Sequence, residues 1–216
     1  MKAYYEKDGI TIYHGDCREI LPTLGRFDLL LTDPPYGENH SSGWVGKFQN
    51  ESIKNDDGLE FRDSVLSLWD FELPAAIFGK WSVPKFGTPR GVVVWDKGPA
   101  SGMGDLSFPF KPSWEDIAIY GEGWKGSRDE GVIKGHTVVT WSGNGQRKHP
   151  NEKPLTLIQL LLSKLPTAQS ILDPFIGSGT TLVAAKLGGI KATGIEINER
   201  YCEIAVNRLR QGVLDF

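Results

Sequence analysis

The segment Leu30–Tyr36 (LLTDPPY) sets a carboxylate (Asp33), two prolines (Pro34, Pro35) and an aromatic ring (Tyr36) directly after an apolar run. Such a loop offers two acceptors, the Asp33 carboxylate and the proline-fixed carbonyl of Pro34, beside a flat face for stacking. That set suits a planar exocyclic amine, each N–H of which finds an acceptor while its ring lies on Tyr36. In adenine or cytosine the lone pair of that amine is delocalised into the ring, which makes it a poor nucleophile. Hydrogen bonds from both N–H groups to fixed acceptors favour a pyramidal nitrogen whose lone pair can attack, which is catalysis by orientation and preorganised electrostatics. A plain proline turn after a strand is the alternative that these residues alone leave open.

A second constellation lies in Ile171–Thr181 (ILDPFIGSGTT), where Gly177 and Gly179 fall between a predicted strand and a predicted helix. Glycines there permit a tight turn and close approach of a ligand to the backbone over the helix N-terminus. Glu196 ends the next predicted strand, 17 residues after Gly179, where an acid typically accepts hydrogen bonds from ribose hydroxyls. Together they point to an adenosine-containing cofactor at the carboxyl edge of a sheet. A dinucleotide fingerprint would need glycine at position 182, which is Leu, and a phosphate loop would need lysine where Thr180 stands. A glycine turn without a ligand is the structural alternative.

These residues need a frame. The 216-residue chain has room for one domain with a real core, and its 39% hydrophobic and 24% charged residues are globular in balance. No run of about 18 apolar residues is present, so a membrane span is not expected. The N-terminus lacks the apolar stretch of a signal peptide. Two cysteines, Cys17 and Cys202, make neither a disulfide framework nor zinc-ligand spacing, so no metal is expected and the default compartment is cytoplasmic. Net charge is −3, but residues 80–153 carry 11 Lys and Arg against 8 Asp and Glu, a middle segment able to face phosphates. Ordinary surface variation explains that balance equally well.

Patterning predicts strands at 9–13, 27–32, 91–95 (GVVVW, of buried type), 116–120, 170–172 and 191–195, with a further one at His136–Trp141. Helical turns are expected over Glu19–Leu24, and helices over Asp63–Gly79 with a kink at Pro74, Pro154–Leu165, Thr180–Leu187 and Asn198–Arg210, the last capped by Asn198. Residues 37–58 read as a long mobile loop. The alternation of strands and helices implies an α/β fold with a mostly parallel central sheet flanked by helices, Rossmann-like in plan.

In its ordered motifs the chain resembles S-adenosylmethionine-dependent amino-DNA methyltransferases of the permuted (beta-type) order, adenine-N6 and cytosine-N4 enzymes in which the catalytic motif precedes the cofactor motif. Tyr13–Leu21 (YHGDCREIL) looks like the family's N-terminal Gly-Asp segment, and Asp33–Tyr36 like its catalytic motif. His149–Pro154 (HPNEKP) resembles the segment leading into the helix before the cofactor strand. Asp173–Thr181 with Glu196 matches the cofactor motif and its ribose acid. The likeness spans residues 13–197 and implies a single methyltransferase domain over 1–216, with a small target-recognition insertion at about 98–148.

The resemblance also implies roles. Asp16, beside Cys17, would accept from the cofactor adenine amine. Asp173, Phe175, Gly177 and Gly179, with Ser178, Thr180 and Thr181, would enclose its methionine part. Lys153, with His149, would face its carboxylate, although a solvated lysine near a helix start is the bland reading. Glu196 and Ile197 would hold the ribose. The implied reaction is methyl transfer to a base flipped out of double-stranded DNA, with no metal and no covalent intermediate. Lys47 and Lys54 in the 37–58 loop, with Arg128, Arg147 and Lys148, are candidate DNA contacts. Trp114 and Trp124 join them, with core packing as the equal alternative. Asp at position 33 looks more like adenine-N6 enzymes than cytosine-N4 ones, where Ser is commoner. The short 98–148 region implies a brief recognition sequence, or a homodimer or partner that adds surface. RNA or protein methylation and a catalytically silent DNA-binding subunit are the competing classes.

Overall fold

The computed structural model describes residues 2–37, 58–98, 107, 109–135 and 152–211. The expected loop over 37–58 and the expected strand at His136–Trp141 fall almost wholly outside them.

Among the described residues, nine strands form one sheet. They are β1 (Tyr5–Lys7), β2 (Ile10–His14), β3 (Leu29–Thr32), β4 (Ala75–Gly79), β5 (Gly91–Asp96), β6 (Trp114–Tyr120), β7 (Val132–Ile133), β8 (Ser170–Asp173) and β9 (Lys191–Glu196). Their spatial order is β1-β2-β9-β8-β3-β4-β6-β5-β7. The five strands β2, β9, β8, β3 and β4 are mutually parallel, while β6 is antiparallel to both β4 and β5. Helices α1 (Cys17–Ile20), α2 (Glu60–Leu66), α3 (Leu155–Ser163), α4 (Thr180–Leu187) and α5 (Glu199–Gln211) accompany the sheet.

The parallel strands read as unbroken apolar runs because both sheet faces are covered. Leu29 and Leu31 of β3 join one buried cluster with Leu157 and Ile158 of α3, Leu182 of α4 and Ala205 of α5. Leu30, between them, points to the other face and meets Leu66 of α2 with Ala75, Ile77 and Leu172. This period-two division of an all-apolar segment is what makes the molecule three-layered.

Two expectations need correction. Residues 63–79 do not form a kinked helix: α2 ends at Leu66, and Ala75–Gly79 is the fully buried strand β4. Pro74 marks the boundary, its carbonyl accepting the Leu30 N–H at 3.1 Å, so the next residues pair with β3. A strand buried on both faces has no polar alternation to distinguish it from helix. The strand at 91–95, expected to be buried, is largely open, with Val92 47% exposed, because the two-residue β7 covers only its far end. Within 98–148, residues 114–120 are a strand of the main sheet, between β4 and β5.

Topology gathers one set of side chains. From β8 the chain runs through α4 to β9, whereas from β3 it runs the opposite way to β4, so the strand order reverses between β8 and β3. Crevices at the carboxyl ends of strands beside such a reversal are where open α/β sheets bind ligands. Asp33, Asp173 and Glu196 sit at those ends, and the antiparallel β6 begins at the same edge, with Asp116 paired to Gly79.

At the opposite edge, Gly121 turns the chain with φ +68°, and a methyl group there would lie 2.1 Å from the Leu73 carbonyl oxygen. Gly121→Ala should therefore lower unfolding free energy by about 3 kcal/mol, strain and backbone overlap together. Gly87→Ala, at φ +58° in open space, should cost only about 1 kcal/mol. Urea denaturation of the two variants checks the difference.

Candidate active site

The loop after β3 begins in the core. Thr32 is buried and its hydroxyl donates to Asp173 Oδ1 at 2.7 Å, tying the end of β3 to the end of β8. Asp33 follows, with its side chain 28% exposed. Its Oδ1 accepts the Tyr36 hydroxyl at 2.5 Å, and its Oδ2 meets Lys153 Nζ at 2.7 Å. Burial, then the Asp33 charge, pushes the Tyr36 hydroxyl well above its ordinary value, so Tyr36 stays a neutral donor. Lys80 Nζ lies 5.7 Å from the centre of the Tyr36 ring. Pro34 is buried and Pro35 half-buried, which fixes the turn between acid and ring.

Lys153 is not a solvated lysine. Its side chain is 10% exposed, and Nζ also contacts Glu115 Oε2 at 2.9 Å and stands 5.1 Å from the Phe78 ring centre. Burial opposes its charge, but Asp33 and Glu115 outweigh burial and raise the ammonium above lysine's usual value. Glu115, the second residue of β6, is itself bridged to Lys97 at 3.0 Å. Burial pushes its carboxyl up, yet the Lys153 and Lys97 cations hold it below the usual glutamate value. Asp116 points to the other sheet face, where Lys85 pairs with it at 2.8 Å.

The glycine turn lies next to this cluster. Glu196 Oε2 accepts the Gly177 N–H at 3.0 Å, and its Oε1 accepts the Asn198 N–H at 2.9 Å. Burial nevertheless raises its pKa to about 7. Asp173 is buried and pushed up to about 6, with Thr32, Thr181 and the Phe175 N–H as donors, so it braces the turn from beneath. Gly177, at φ +48°, has nothing within 4 Å of where a methyl group would be. Gly179, at φ +83°, lies against α5, where its methyl group would come 2.7 Å from Ala205 Cβ. The first glycine therefore leaves open space beside Glu196, and the second lets two helices meet. Phe175 is half-buried, edge-on to Phe61 with ring centres 6.0 Å apart. Open space, a partly exposed carboxylate and an aromatic edge fit an adenosine-bearing ligand.

The remaining expected residues divide. Asp16 caps α1 through the Arg18 N–H and forms an ion pair with Arg18 at 2.6 Å, which lowers its pKa. The Cys17 side chain is buried with Ile20, Val65 and Ile195. The Ile197 carbonyl lies 3.3 Å from His14 Nε2. The Ser178 and Thr180 hydroxyls both accept from Arg208, at 2.9 and 3.1 Å, rather than lining open space. The structure does not bring Arg128 to the site: it is exposed between Ser127 and Asp129, which hold Lys164 at the far end of α3. Trp124 packs on the core with its indole N–H on the Tyr120 carbonyl, while Trp114 is 39% exposed at the site edge. Lys47, Lys54, Arg147, Lys148 and His149 lie outside the described residues.

Sequence reasoning missed Glu115, Lys97 and Arg208. Adjacent acids in an otherwise apolar strand (WEDIAIY) were the available signal for Glu115. Arg208 had none. From α5 it also pairs with Glu152 at 2.5 Å, so it joins the glycine turn to the residue preceding Lys153. Among the described residues no group of three His, Cys, Asp or Glu is placed to hold a metal, and no helix is long and apolar enough to cross a membrane.

An acid–proline–aromatic loop and a strand–glycine–helix turn share one switch-point crevice, the arrangement that the resemblance to amino-methyltransferases implies. The family model described as DNA methylase, for the N6 and N4 enzymes, matches residues 91–207. The type II methyltransferase M.HinfI of Haemophilus influenzae is 38% identical over 93% of this chain and 68% of its own. The chain belongs to this DNA methylase family. Among solved structures, the M1.HpyAVI–SAM complex superposes with a TM-score of 0.64 at 21% identity, covering 93% of this chain and 99% of that one. The cytosine-N4-specific PvuII DNA methyltransferase gives 0.70 at 15% identity, covering 96% and 88%. Both share the fold.

Two outcomes follow from the glycine turn. Gly177→Ala should cost about 1 kcal/mol of stability yet impair binding of S-adenosylmethionine. Gly179→Ala should cost about 3 kcal/mol through strain and overlap. If Glu196 must be ionised to accept ligand hydroxyls, affinity falls as pH drops through its pKa of about 7. Titration calorimetry should show roughly tenfold weaker binding at pH 6 than at pH 8, and a flat profile in Glu196→Gln.

Proposed function

We propose that this chain transfers a methyl group from S-adenosylmethionine to the exocyclic N6 amine of adenine in duplex DNA. The observation that carries the reading is the juxtaposition of Asp33 and the Gly177–Glu196 turn at one crevice, joined beneath by the Thr32–Asp173 hydrogen bond. Asp rather than Ser at position 33 supports adenine over cytosine.

When bound, S-adenosylmethionine supplies a methyl group on a positively charged sulfur that leaves as a neutral thioether. In this reading Glu196 holds the ribose hydroxyls, Gly177 leaves the space, and Phe175 packs beside it. Asp33 and the Pro34 carbonyl each accept one N–H of the target amine, which directs the nitrogen lone pair at the methyl group. Each carboxylate oxygen has two lone pairs, so Asp33 can take the amine while keeping Lys153. The Tyr36 hydroxyl gives up or shares Oδ1 as its ring stacks on the base. Stacking repays part of the cost of flipping, about 1–3 kcal/mol. The surplus amine proton leaves through Asp33 or to solvent. Neither Lys153 nor Tyr36 takes it, because both are held in their protonated forms.

Residues 1–216 act as one methyltransferase domain in this proposal, with target recognition assigned to the parts of 98–148 outside β6. Lys47, Lys54, Arg147 and Lys148 remain the proposed phosphate contacts, and a homodimer is the proposed source of further DNA-binding surface.

Incubating the protein with labelled S-adenosylmethionine and unmethylated duplex DNA, then analysing nucleosides by mass spectrometry, should yield N6-methyladenine. N4-methylcytosine would overturn the choice of base, and no methylated nucleoside would overturn the reading. Asp33→Ala should reduce transfer at least about a thousandfold and change cofactor affinity little. Tyr36→Phe should retain most activity and Tyr36→Ala lose about 10- to 100-fold, the loss of one base stack.

A further inference from the structure

We propose that Glu115, at the start of β6, is a positioning residue for methyl transfer: it aims the Lys153 ammonium at Asp33 and so fixes the carboxylate that receives the target amine. The inference rests on the function proposed above and adds to it a residue from a strand that carries none of the recognised motifs.

The geometry is a line of alternating charges. Lys97 meets Glu115 Oε1 at 3.0 Å, Glu115 Oε2 meets Lys153 at 2.9 Å, and Lys153 meets Asp33 Oδ2 at 2.7 Å. The two inner members are almost wholly out of water, with side chains 10% exposed for Lys153 and 14% for Glu115. A buried ammonium is held better when its charge and its three N–H donors are matched on more than one side. A single partner leaves a flexible four-carbon stem free to swing about it. With Asp33 alone, Lys153 could follow the acid wherever the loop moved. With Glu115 also in contact, the ammonium is pinned to the sheet edge, because Glu115 belongs to a strand paired on both sides, to β4 and β5. Asp33 is in a loop followed by two prolines, and the pinned cation supplies an external reference for its Oδ2. The Tyr36 hydroxyl occupies Oδ1, so the two oxygens differ in their partners: one is fixed by the sheet through Lys153, the other is held by a side chain that must move for a base to stack.

The test uses Glu115→Gln, Lys153→Met and the double variant, assayed with tritiated S-adenosylmethionine and unmethylated genomic DNA. Cofactor affinity is measured separately by titration calorimetry. Glu115→Gln should lower kcat about 10- to 100-fold, the scale of a small misplacement at a reacting centre. The dissociation constant for S-adenosylmethionine and the KM for DNA should stay within about threefold. Lys153→Met should lower kcat at least as far, and adding Glu115→Gln to it should lower kcat no further, since Glu115 acts through Lys153. In 15N-lysine-labelled protein, the Lys153 ammonium signal, slowed in exchange by its two ion pairs, should broaden in Glu115→Gln without cofactor or DNA. Should Glu115→Gln fail to fold, Glu115→Asp keeps the charge, shortens its reach by one methylene, and should show the same fall in kcat at unchanged cofactor affinity. Undiminished kcat in an otherwise active enzyme, or losses that multiply in the double variant, would overturn this proposal alone. Absence of any methyl transfer by the unaltered chain would overturn the functional reading and this inference with it.

Discussion

A lysine ammonium buried between two carboxylates draws three distant parts of the chain to one point. Lys153 stands just before α3, Asp33 just after β3, and Glu115 at the start of β6, and the two carboxylates together match the ammonium's charge. Removing Lys153 would take from both carboxylates the cation they share, and breaking such a buried pairing costs more than making it gains. The loop after β3, the entrance to α3 and the antiparallel side of the sheet are therefore fixed relative to one another. The same point is the proposed catalytic centre.

Beneath that contact lies the reversal of strand order between β8 and β3. Parallel strands running outward in both directions from one seam leave their carboxyl ends open together, and the loops that follow them face a common crevice. The seam is stitched by Thr32 and Asp173, a buried hydroxyl donating to a buried carboxyl. Asp173 thus serves both loops from below, bracing the glycine turn through Phe175 and Thr181. Arg208 braces it from the other side and reaches Glu152, next to Lys153. The cofactor turn and the acid-bearing loop are in this way connected through side chains as well as through the sheet.

Much of the frame was legible in the residues. The strands β2, β3, β8 and β9 and helix α4 follow from apolar runs bounded by glycine, proline and cap residues, and Asn198 does cap α5 by accepting the Arg200 N–H. The error at 63–79 is instructive because AAIFG lacks any period. Its identity as a strand comes from its neighbours on both sides, not from its own residues. The same holds for β5, whose valines look like core but lie near an incompletely covered edge. Site residues split along a similar line. Gly179 was legible as a glycine required at a turn, yet its reason is the approach of Ala205 from a helix 26 residues further along the chain.

By itself the sequence determined the chemical types available, and their order: an acid and an aromatic ring around two prolines, then a lysine, then a glycine turn with a distant acid. Local rules suffice for this, because proline dihedrals, glycine turns and strand-length apolar runs act over a few residues. Only the tertiary structure decided which charges meet. Lys153 was expected toward the cofactor and lies on Asp33, Asp16 is engaged by Arg18, and Arg128 is at the opposite sheet edge from the crevice. Electrostatic partnership depends on separation in space and on exclusion of water. Both are set by strand order and layer packing, which no short stretch of this chain contains.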